Sequence, residues 1–437
     1  MADGTEKASR SWLAPAFQAI AIDDEGRTCR DIPDSACREE AGNFFRHVGA
    51  LSLSKSADGL IDPKLVLSWL ILQLGAPAAL VGFLVPIREA GALLPQLFTA
   101  GALRRLPQRK WAWAAGAALQ ALAALSIGLI AVFLEGALAG ALILLALTVL
   151  ALARSVCSVC YKDVLGKTVD KTRRGRATGL AGTIASVTVI VFALALMTGV
   201  VERVSLVTGA LFLAALAWLA ASCDFITLRE HSGATDGGKA AFSAAIENMG
   251  YLKEDAQLRR FILVRSLLTS TALAPPFMVA AASATGALPL GALVLASASA
   301  ALVSSYVWGW LSDRSSRKVL MIAGLAGAGG LVASAALALA GWLHPLFALP
   351  AMIFLVMIAY QGVRLGRSTH LTDMATEDTR AAYTALSNTI VGLVLIAGAL
   401  FSLIAALAGP VLVLALMAGM ALLATLFSRG LDEVQAR

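Results

Sequence analysis

Long uncharged runs of apolar residues alternate with short polar segments along most of this chain. A single membrane-spanning helix needs about 20 predominantly apolar residues. Four runs have that length, and each predicts one spanning helix: 111–134, 136–153, 177–201 and 204–223. Three later runs are about twice as long: 266–312, 319–363 and 381–428. Each has glycine and proline near its middle, at 286–289, 341–345 and 409–410, which predicts a tight turn and a helical hairpin.

The first spanning segments are less regular. Residues 65–87 could form one span, but Gly75, Ala76 and Pro77 predict a turn inside it. We therefore place helix 1 at about 43–74 and helix 2 at about 78–103. These two helices, the four single helices and the three hairpins make twelve. The predicted fold class is an all-α polytopic membrane protein with twelve transmembrane helices.

The composition of the 437 residues agrees with this pattern. Hydrophobic residues make up 58% and charged residues 14%, whereas soluble domains are about 25% charged. The mean hydropathy of the chain is +0.78. The first 42 residues are polar and lack the basic start and early apolar core of a signal peptide, so we expect them to stay in the cytoplasm.

Basic residues cluster in alternate loops, and cytoplasmic loops are the ones that carry excess lysine and arginine. In the loops on the opposite side, Arg203 is the only lysine or arginine residue. We therefore expect a multi-pass protein of the bacterial inner membrane with both termini cytoplasmic. The net charge of +7 is then explained by the basic residues of the cytoplasmic loops, and no nucleic-acid partner is expected. The clusters are Arg104, Arg105, Arg109 and Lys110; Lys162, Lys167, Lys171, Arg173, Arg174 and Arg176; Arg314, Arg317 and Lys318; and Arg367 and Arg380.

The expected organisation has two helical bundles and three polar segments. Cytoplasmic tails cover 1–42 and 429–437, and the six-helix bundles cover 43–224 and 259–428. The linker between the bundles, 225–258, has apolar residues at helical spacing, which predicts an amphipathic cytoplasmic helix. These residues are Phe242, Ile246, Met249 and Leu252.

The two halves of the chain repeat each other at a spacing near 210 residues. The segment GALRRLPQRK at 101–110 matches GWLSDRSSRK at 309–318. Arg154 is followed nine residues later by Asp163, and Arg364 is followed nine residues later by Asp373. Repeated six-helix halves are common in transporters, where the substrate site lies between the halves near the midplane of the membrane.

Three segments resemble the major facilitator superfamily. GWLSDRSSRK is similar to its loop signature G-x-L-x-D-R-x-x-R-K, and LALARSVCSV in helix 4 is similar to its L-x-x-x-R pattern. The segment from Asn43 through Asp58 to Leu80 resembles helix 1 and loop 1 of its bacterial exporters. The resemblance covers about 43–428. It implies two pseudo-symmetric six-helix bundles and a secondary transporter that works by alternating access.

The resemblance also implies a cytoplasmic gate formed by Gly309, Asp313, Arg314, Arg317 and Lys318, with Gly101, Arg105 and Arg109 as its first-half counterpart. Arg105 stands where the family has an aspartate that latches the outward-closed state, so the latch is weaker here or is carried by Asp313. Arg364 and Asp373 are the second-half counterparts of the helix 4 pair. Helix 5 lacks the Gly-Pro signature of drug/proton antiporters, which lowers the case for drug efflux.

Lys55, Asp58 and Asp62 are the main candidates for proton coupling. Their spacing of three and four residues predicts that they share one helix face. Two carboxylates so placed in a low-dielectric cavity repel each other, and one of them can load and release a proton. Two alternatives stay open: Lys55 neutralises one aspartate as a structural pair, or the whole group lies at the membrane interface.

Arginines are the candidate substrate ligands. Arg88 and Glu89 point about 100° apart on a helix, so either they face a cavity and a neighbouring helix, or they form an interhelical ion pair. Arg154 either lines the cavity near Asp58 or acts as a latch nearer the cytoplasm. A cavity arginine suits an anionic or zwitterionic small molecule. Arg364 and Arg367 are expected to be a gate or topology anchors.

We therefore expect a secondary active transporter of a small solute. The expected driving force is an ion gradient, most simply of protons, with no cofactor and no metal site. The alternatives are a transporter-derived receptor or regulator, a membrane-embedded enzyme and a channel. An enzyme is disfavoured because no HExxH, GxSxG or P-loop motif is present. The chain is expected to be a monomer.

Overall fold

The computed structural model describes residues 37–96, 103, 105–232, 249–283, 289–312, 314–344, 346–376 and 379–436. These residues form helices joined by turns and short connections, and they include no strand. This agrees with the predicted all-α class. The first half contains helix 1 (Glu40–Leu60 and Val66–Gln73), helix 2 (Ala78–Phe83 and Leu84–Leu93), helix 3 (Lys110–Phe133), helix 4 (Gly136–Thr168), helix 5 (Lys171–Thr198) and helix 6 (Arg203–Ile226).

The second half repeats this order. It contains helix 7 (Ala256–Leu267 and Ser270–Ser283), helix 8 (Leu290–Ser312), helix 9 (Ser316–Leu339), helix 10 (Ala348–Met374), helix 11 (Arg380–Ala397 and Leu400–Ala408) and helix 12 (Pro410–Ser428). Nine of the described helices are long and apolar enough to cross a membrane, judged by length and composition. Helix 8 has a shorter apolar stretch, and helices 1 and 2 are divided, which brings the helical passages of the described chain to twelve.

Glycines make the turns where the sequence predicts them. Gly75, Gly341 and Gly409 have φ angles of 73°, 74° and 84°, in the left-handed region that glycine adopts without strain. Gly75 separates helix 1 from helix 2, as predicted. Pro410 begins helix 12, where its fixed φ suits the first helical turn. The turn expected at 286–289 lies mostly outside the described residues.

Helix 1 is divided at Asp62 and Pro63. Its first segment ends at Leu60, because Pro63 lacks the N–H that would continue the helix. The Asp62 carboxylate accepts the backbone N–H groups of Lys64 at 2.8 Å and Leu65 at 3.0 Å, which starts the second segment. The prediction that Asp62 shares a helix face with Lys55 and Asp58 is therefore wrong.

The two halves pack by the same scheme. In the first half, helix 3 packs on helices 4 and 6, helix 2 on helix 4, and helix 1 on helices 5 and 6. In the second half, helix 9 packs on helices 10 and 12, helix 8 on helix 10, and helix 7 on helices 11 and 12. Helix 5 contacts helix 8, and helix 2 contacts helix 11, so the contacts between the halves are also related in pairs. The predicted two-fold repeat is thus present in three dimensions.

The ends of the bundle differ. Each half has an even number of passages, so helix 1 begins and helix 12 ends at one end, which we call the tail end. At the opposite, far end the halves approach closely. A Cβ atom added to Gly291 in helix 8 would lie 2.8 Å from the carbonyl oxygen of Ala193 in helix 5. A Cβ atom added to Gly82 in helix 2 would collide with the side chain of Ser402 in helix 11. The far end is therefore closed by helix packing.

The segments that follow each half are partly ordered. The predicted linker helix is described only at its end, where Leu252 lies in a short helix, Gly250–Glu254, and Met249 precedes it. Phe242 and Ile246 lie outside the described residues. After helix 12 the chain folds back into a short 3-10 helix, Val434–Ala436, and Leu431 is buried. The C-terminal tail is therefore docked on the second half over most of its length.

Candidate functional site

A cavity of about 510 Å³ lies between the two halves. Ligand sites commonly have volumes of ~300–1,000 Å³, so the cavity has room for a small molecule. Its wall is built by helices 1, 2, 4 and 5 of the first half and helices 8 and 10 of the second. The wall contains Arg364 and all six residues predicted for coupling and substrate contact: Lys55, Asp58, Asp62, Arg88, Glu89 and Arg154.

The cavity wall is strongly basic. Its six basic side chains are Lys55, Lys64, Arg88, Arg154, Arg364 and Arg367, and its three acidic ones are Asp58, Asp62 and Glu89. With all of them ionised, the wall has an excess of three positive charges. Unbalanced charge at membrane depth is costly unless water or a counter-ion faces it. A site with this balance favours an anionic occupant.

Asp58 holds two guanidinium groups at once. Its Oδ1 lies 2.5 Å from Arg88 Nη2, and its Oδ2 lies 2.6 Å from Arg154 Nη1. Arg154 also donates to the hydroxyl of Ser54 at 3.2 Å, and that hydroxyl accepts a bond from Trp218 Nε1. The structure thus brings Arg154 from helix 4 to Asp58 on helix 1, the first of the two placements considered for it. Arg88 joins the same carboxylate.

Lys55 is not part of this cluster. Its Nζ donates to the backbone carbonyl of Thr178 at 3.2 Å. Among the described residues no ion pair joins Lys55 to Asp58 or Asp62. The structural pair considered for Lys55 is therefore absent there. The repulsion expected between the two aspartates is replaced by two attractive contacts to arginine at Asp58 and by helix capping at Asp62.

Glu89 faces the second half of the molecule. Its Oε1 lies 3.7 Å from the Nζ of Lys64, which is itself buried. Lys64 Nζ stands 4.2 Å above the ring of Tyr360 on helix 10, a cation–π contact that links the halves. Arg364 and Arg367 also attract Glu89 electrostatically. Arg88 and Glu89 therefore both line the cavity, and each pairs with a different partner.

Helix 10 brings two arginines to the cavity, Arg364 and Arg367. Within the described part of the chain neither is in an ion pair with a carboxylate. Behind them lies a recess of about 20 Å³, the size of one water molecule, lined by Arg265 of helix 7. Arg265 donates to Ser387 at 2.6 Å and Asn388 at 2.8 Å, while its Nε is buried without a partner.

Of the residues predicted for a gate in the first half, Arg109 belongs to a network at the tail end. Arg109 pairs with Asp163, whose other oxygen lies 2.7 Å from Lys167 Nζ. The buried carboxylate of Glu230, which follows helix 6, accepts the backbone N–H groups of Arg109 at 3.1 Å and Lys110 at 2.8 Å. It therefore caps the start of helix 3. Arg105 is exposed, and Gly101 lies outside the described residues.

The C-terminal tail contacts two of the residues singled out in the second half, Arg317 and Asp373. Gln435 accepts from the backbone N–H and the hydroxyl of Ser316 at 3.0 and 3.1 Å, and it donates to Asp373 at 2.7 Å. Arg317 pairs with Glu433 at 3.2 Å. Of the other predicted gate residues, Arg314 stacks on Trp310, Lys318 is exposed, Gly309 lies in helix 8, and Asp313 lies outside the described residues.

Sequence reasoning missed several members of these sites. Lys64 and Tyr360 in the cavity, Arg265 behind it, and Glu230 and Gln435 at the tail end were not expected. Lys64 directly follows the Asp-Pro break in helix 1, a position that could have marked it as a residue near the cavity. Glu230 and Gln435 each follow the last helix of a half, but nothing in their local sequence indicates which helix they cap.

Comparison with known proteins finds similarity in structure only. No family model matches the chain, and no curated protein matches it. The nucleoside transporter NupG is similar over 89% of this chain and 98% of its own, with a TM-score of 0.65 and 12% identity. A POT family transporter in complex with 5-aminolevulinic acid is similar over 88% and 95%, with a TM-score of 0.66 and 11% identity.

The xylose transporter XylE from E. coli, in an inward open conformation, is similar over 90% of this chain and 96% of its own, with a TM-score of 0.60 and 11% identity. At these identities the likeness concerns the fold. Twelve helical passages in two matching halves around a central cavity define an all-α polytopic fold. The chain has the major facilitator fold, as the resemblance in its sequence implied.

Proposed function

We propose that this chain is a secondary active transporter that moves a small anionic solute across the membrane by alternating access, with protons as the coupling ion. The excess of basic side chains in the cavity between the halves is the observation that carries the proposal. A D-xylose-proton symporter of known structure has the same fold at 11% identity, which supports the choice of the proton. The proposed protein is a transporter rather than an enzyme.

Asp58 is the proposed proton carrier. While it is ionised, its carboxylate occupies Arg88 and Arg154, at 2.5 and 2.6 Å. A neutral carboxyl group cannot sustain two charge-assisted contacts of this kind. Protonation of Asp58 therefore frees the two guanidinium groups for an anionic substrate. Proton and substrate are coupled in this scheme because both act on the same pair of arginines.

The closed far end supports a carrier whose site communicates with one side at a time. Helices 5 and 8 meet at Gly291, and helices 2 and 11 meet at Gly82, beyond the cavity. The proposed conformation is thus accessible from the tail end. Access from the far side requires these contacts to separate, which is the rocking of two halves expected for such transporters.

We also propose that the tail end faces the cytoplasm of a bacterium and that the protein lies in its inner membrane. Arg105 and Lys318 are exposed at the tail end, and Arg203 is exposed at the far end. In a variant without native cysteines, an impermeant thiol reagent should label Arg203→Cys on intact cells but label Arg105→Cys and Lys318→Cys only after permeabilisation. Labelling of either tail-end position on intact cells contradicts the orientation.

The proposed function is tested by uptake into whole cells. A metabolite panel is measured in cells with and without the gene, in the presence and absence of a protonophore. We expect the gene to change the accumulation of an acidic solute and the protonophore to remove that change. A panel with no gene-dependent solute, or with only a neutral solute that is insensitive to the protonophore, contradicts the proposal.

A further inference from the structure

Within the described residues, three basic side chains of the cavity do not pair with the cavity's own carboxylates. Asp58 is engaged by Arg88 and Arg154, and Glu89 is engaged by Lys64. Asp62 is occupied by two backbone N–H groups of the chain segment that follows it. The remaining basic side chains are Lys55, Arg364 and Arg367, and within the described residues none of them pairs with a carboxylate.

These side chains stand on opposite walls. Lys55 belongs to helix 1 of the first half, whereas Arg364 and Arg367 belong to helix 10 of the second. Lys55 and Arg364 are near enough to repel each other. A monoanion placed at either wall would leave the basic group on the other wall without a counter-ion. A molecule with two separated negative groups would satisfy both walls.

Building on the transport function proposed above, we infer that the substrate is an organic dianion with two acidic groups held apart by a short carbon chain. Lys55 binds one acidic group, and Arg364 with Arg367 binds the other. Arg154, which protonation of Asp58 frees, joins Lys55 at its end of the substrate, so the coupling to the proton is kept. The class is that of dicarboxylates. Phosphorylated hydroxy acids share the separation of two acidic ends and carry about one further negative charge on the phosphate.

Closure of the cavity depends on the charge of the molecule inside it. In the empty cavity the repulsion between Lys55 and Arg364 opposes the approach of the two walls. A dianion between them replaces this repulsion by attraction at both ends. Closure of the cavity around its substrate therefore requires both acidic groups, and a monoanion of the same length is bound weakly and is not enclosed.

Gly182 on helix 5 offers a way to neutralise one wall without removing Lys55. A Cβ atom added at Gly182 would lie 3.5 Å from Lys55 Nζ, and among the described residues it would approach no other residue of a neighbouring element within 4 Å. A Gly182→Asp substitution therefore supplies an internal carboxylate for Lys55. Gly179 lies one turn earlier, and its added Cβ would meet none of the neighbouring residues that the structure describes within 4 Å, so Gly179→Asp is a matched control.

The test is ligand-dependent thermal unfolding of the full-length protein, since a ligand that binds only the folded state raises its melting temperature. The probes are malonate, succinate, glutarate, adipate and 3-phosphoglycerate. Monocarboxylates of the same chain lengths serve as comparison at equal ionic strength. We expect at least one diacid to raise the melting temperature and the matching monoacid to have little effect.

Variants of the basic residues test which wall of the cavity binds each acidic group of the substrate. Lys55→Gln and Arg364→Gln should each weaken diacid binding by about tenfold or more, the scale of one lost charge-assisted contact. Arg203→Gln, at the exposed far end, should not. Gly182→Asp should lose diacid binding and gain preference for the monoacid, while Gly179→Asp keeps the original order. Because Gly182→Asp adds a group and leaves both basic residues in place, it remains informative if a glutamine variant does not fold.

Several results would contradict the inference that the substrate is a dianion. These are equal stabilisation by matched mono- and diacids, no stabilisation by any probe, or unchanged diacid affinity in Gly182→Asp. Each leaves transport of another solute open to the uptake panel, so failure here is distinct from failure of the proposed function. Diacid binding as expected without any uptake would instead retain the site and contradict transport.

Discussion

At the residue scale, the central feature is the single carboxylate shared by two arginines. Asp58 contacts Arg88 through one oxygen and Arg154 through the other. Each oxygen of Asp58 thus contacts one arginine. Another acidic group can reach the two guanidinium groups only by displacing Asp58 or after Asp58 is protonated. A geometry of this kind depends on the planar fork of arginine, which presents several donors in fixed directions.

Replacement of Arg154 by lysine tests that dependence. Arg154 contacts both Asp58 at 2.6 Å and Ser54 at 3.2 Å, and a lysine ammonium offers a point charge on a flexible stem instead. Arg154→Lys should fold and lose transport by roughly tenfold or more. The measurement is the initial transport rate at matched membrane expression, with Arg203→Lys as control. A rate near wild type in Arg154→Lys would assign Arg154 to charge balance alone.

Glu89 and Lys64 show why residue-level prediction was incomplete. The apolar pattern predicted that Glu89 lies in the membrane region, but its partner could not be read from the sequence. Lys64 reaches it because helix 1 breaks at Pro63 and the chain turns inward there. Asp62, which looked equivalent to Asp58 by spacing, is removed from the helix face by the same break.

At the scale of helices and their connections, each half is fastened at the tail end by the segment that follows its last helix. Glu230, after helix 6, caps the start of helix 3. Gln435, after helix 12, caps the start of helix 9 through Ser316. The two devices occupy corresponding places in the repeat. The first uses a charge that also pairs with Lys167, at 3.2 Å, and the second uses a neutral amide.

Because one cap is charged and the other neutral, removal of the two side chains should destabilise the protein by different amounts. Glu230→Ala leaves two backbone N–H groups without their acceptor and removes one of the two carboxylates beside the half-buried Lys167, which should destabilise the protein by about 3 kcal/mol. Gln435→Ala removes neutral hydrogen bonds near the surface and should cost about 1 kcal/mol. Thermal unfolding of the purified variants measures both, with the exposed Glu254→Ala as control. The opposite order of destabilisation would contradict the capping roles.

Much of the helical arrangement was predictable from sequence, because turns and spans are local properties. Glycines at 75, 341 and 409 take positive φ angles where the apolar runs are interrupted. The pairings at the tail end were not predictable in the same way. Arg109 meets Asp163, and Glu230 reaches helix 3, only because helices 3, 4 and 6 pack together. Those contacts depend on tertiary structure that no local pattern encodes.

At the scale of the whole molecule, two matching halves enclose a basic cavity and are pressed together at the far end. The repeat in the sequence predicted the halves, and the position of the charged residues within apolar runs predicted a wet cavity. The closed far end was not foreseen, because it depends on how helices 5 and 8 approach each other at Gly291. Small residues permit that approach without indicating which conformation is adopted.

The far-end contact predicts the effect of a bulky side chain. Gly291→Leu would collide with the Ala193 carbonyl and with Met197, so the far end should open. Opening is read from a cysteine at Val294, a buried cavity position in the same helix, with an impermeant thiol reagent added to the far side. Labelling should rise in Gly291→Leu but not in Gly209→Leu, because a Cβ added at Gly209 meets nothing within 4 Å in the described part of the chain. Unchanged labelling would contradict a closed far end.

The most direct test of the proposed function is uptake into proteoliposomes under an imposed pH gradient, with the acidic solute identified in cells. The wild-type protein should accumulate this solute only when the gradient is present. Asp58→Asn cannot carry the proton, so it should lose accumulation yet still exchange labelled for unlabelled solute. Gradient-driven accumulation by Asp58→Asn at the wild-type rate, or accumulation by the wild type without any gradient, would contradict proton-coupled transport through this cavity.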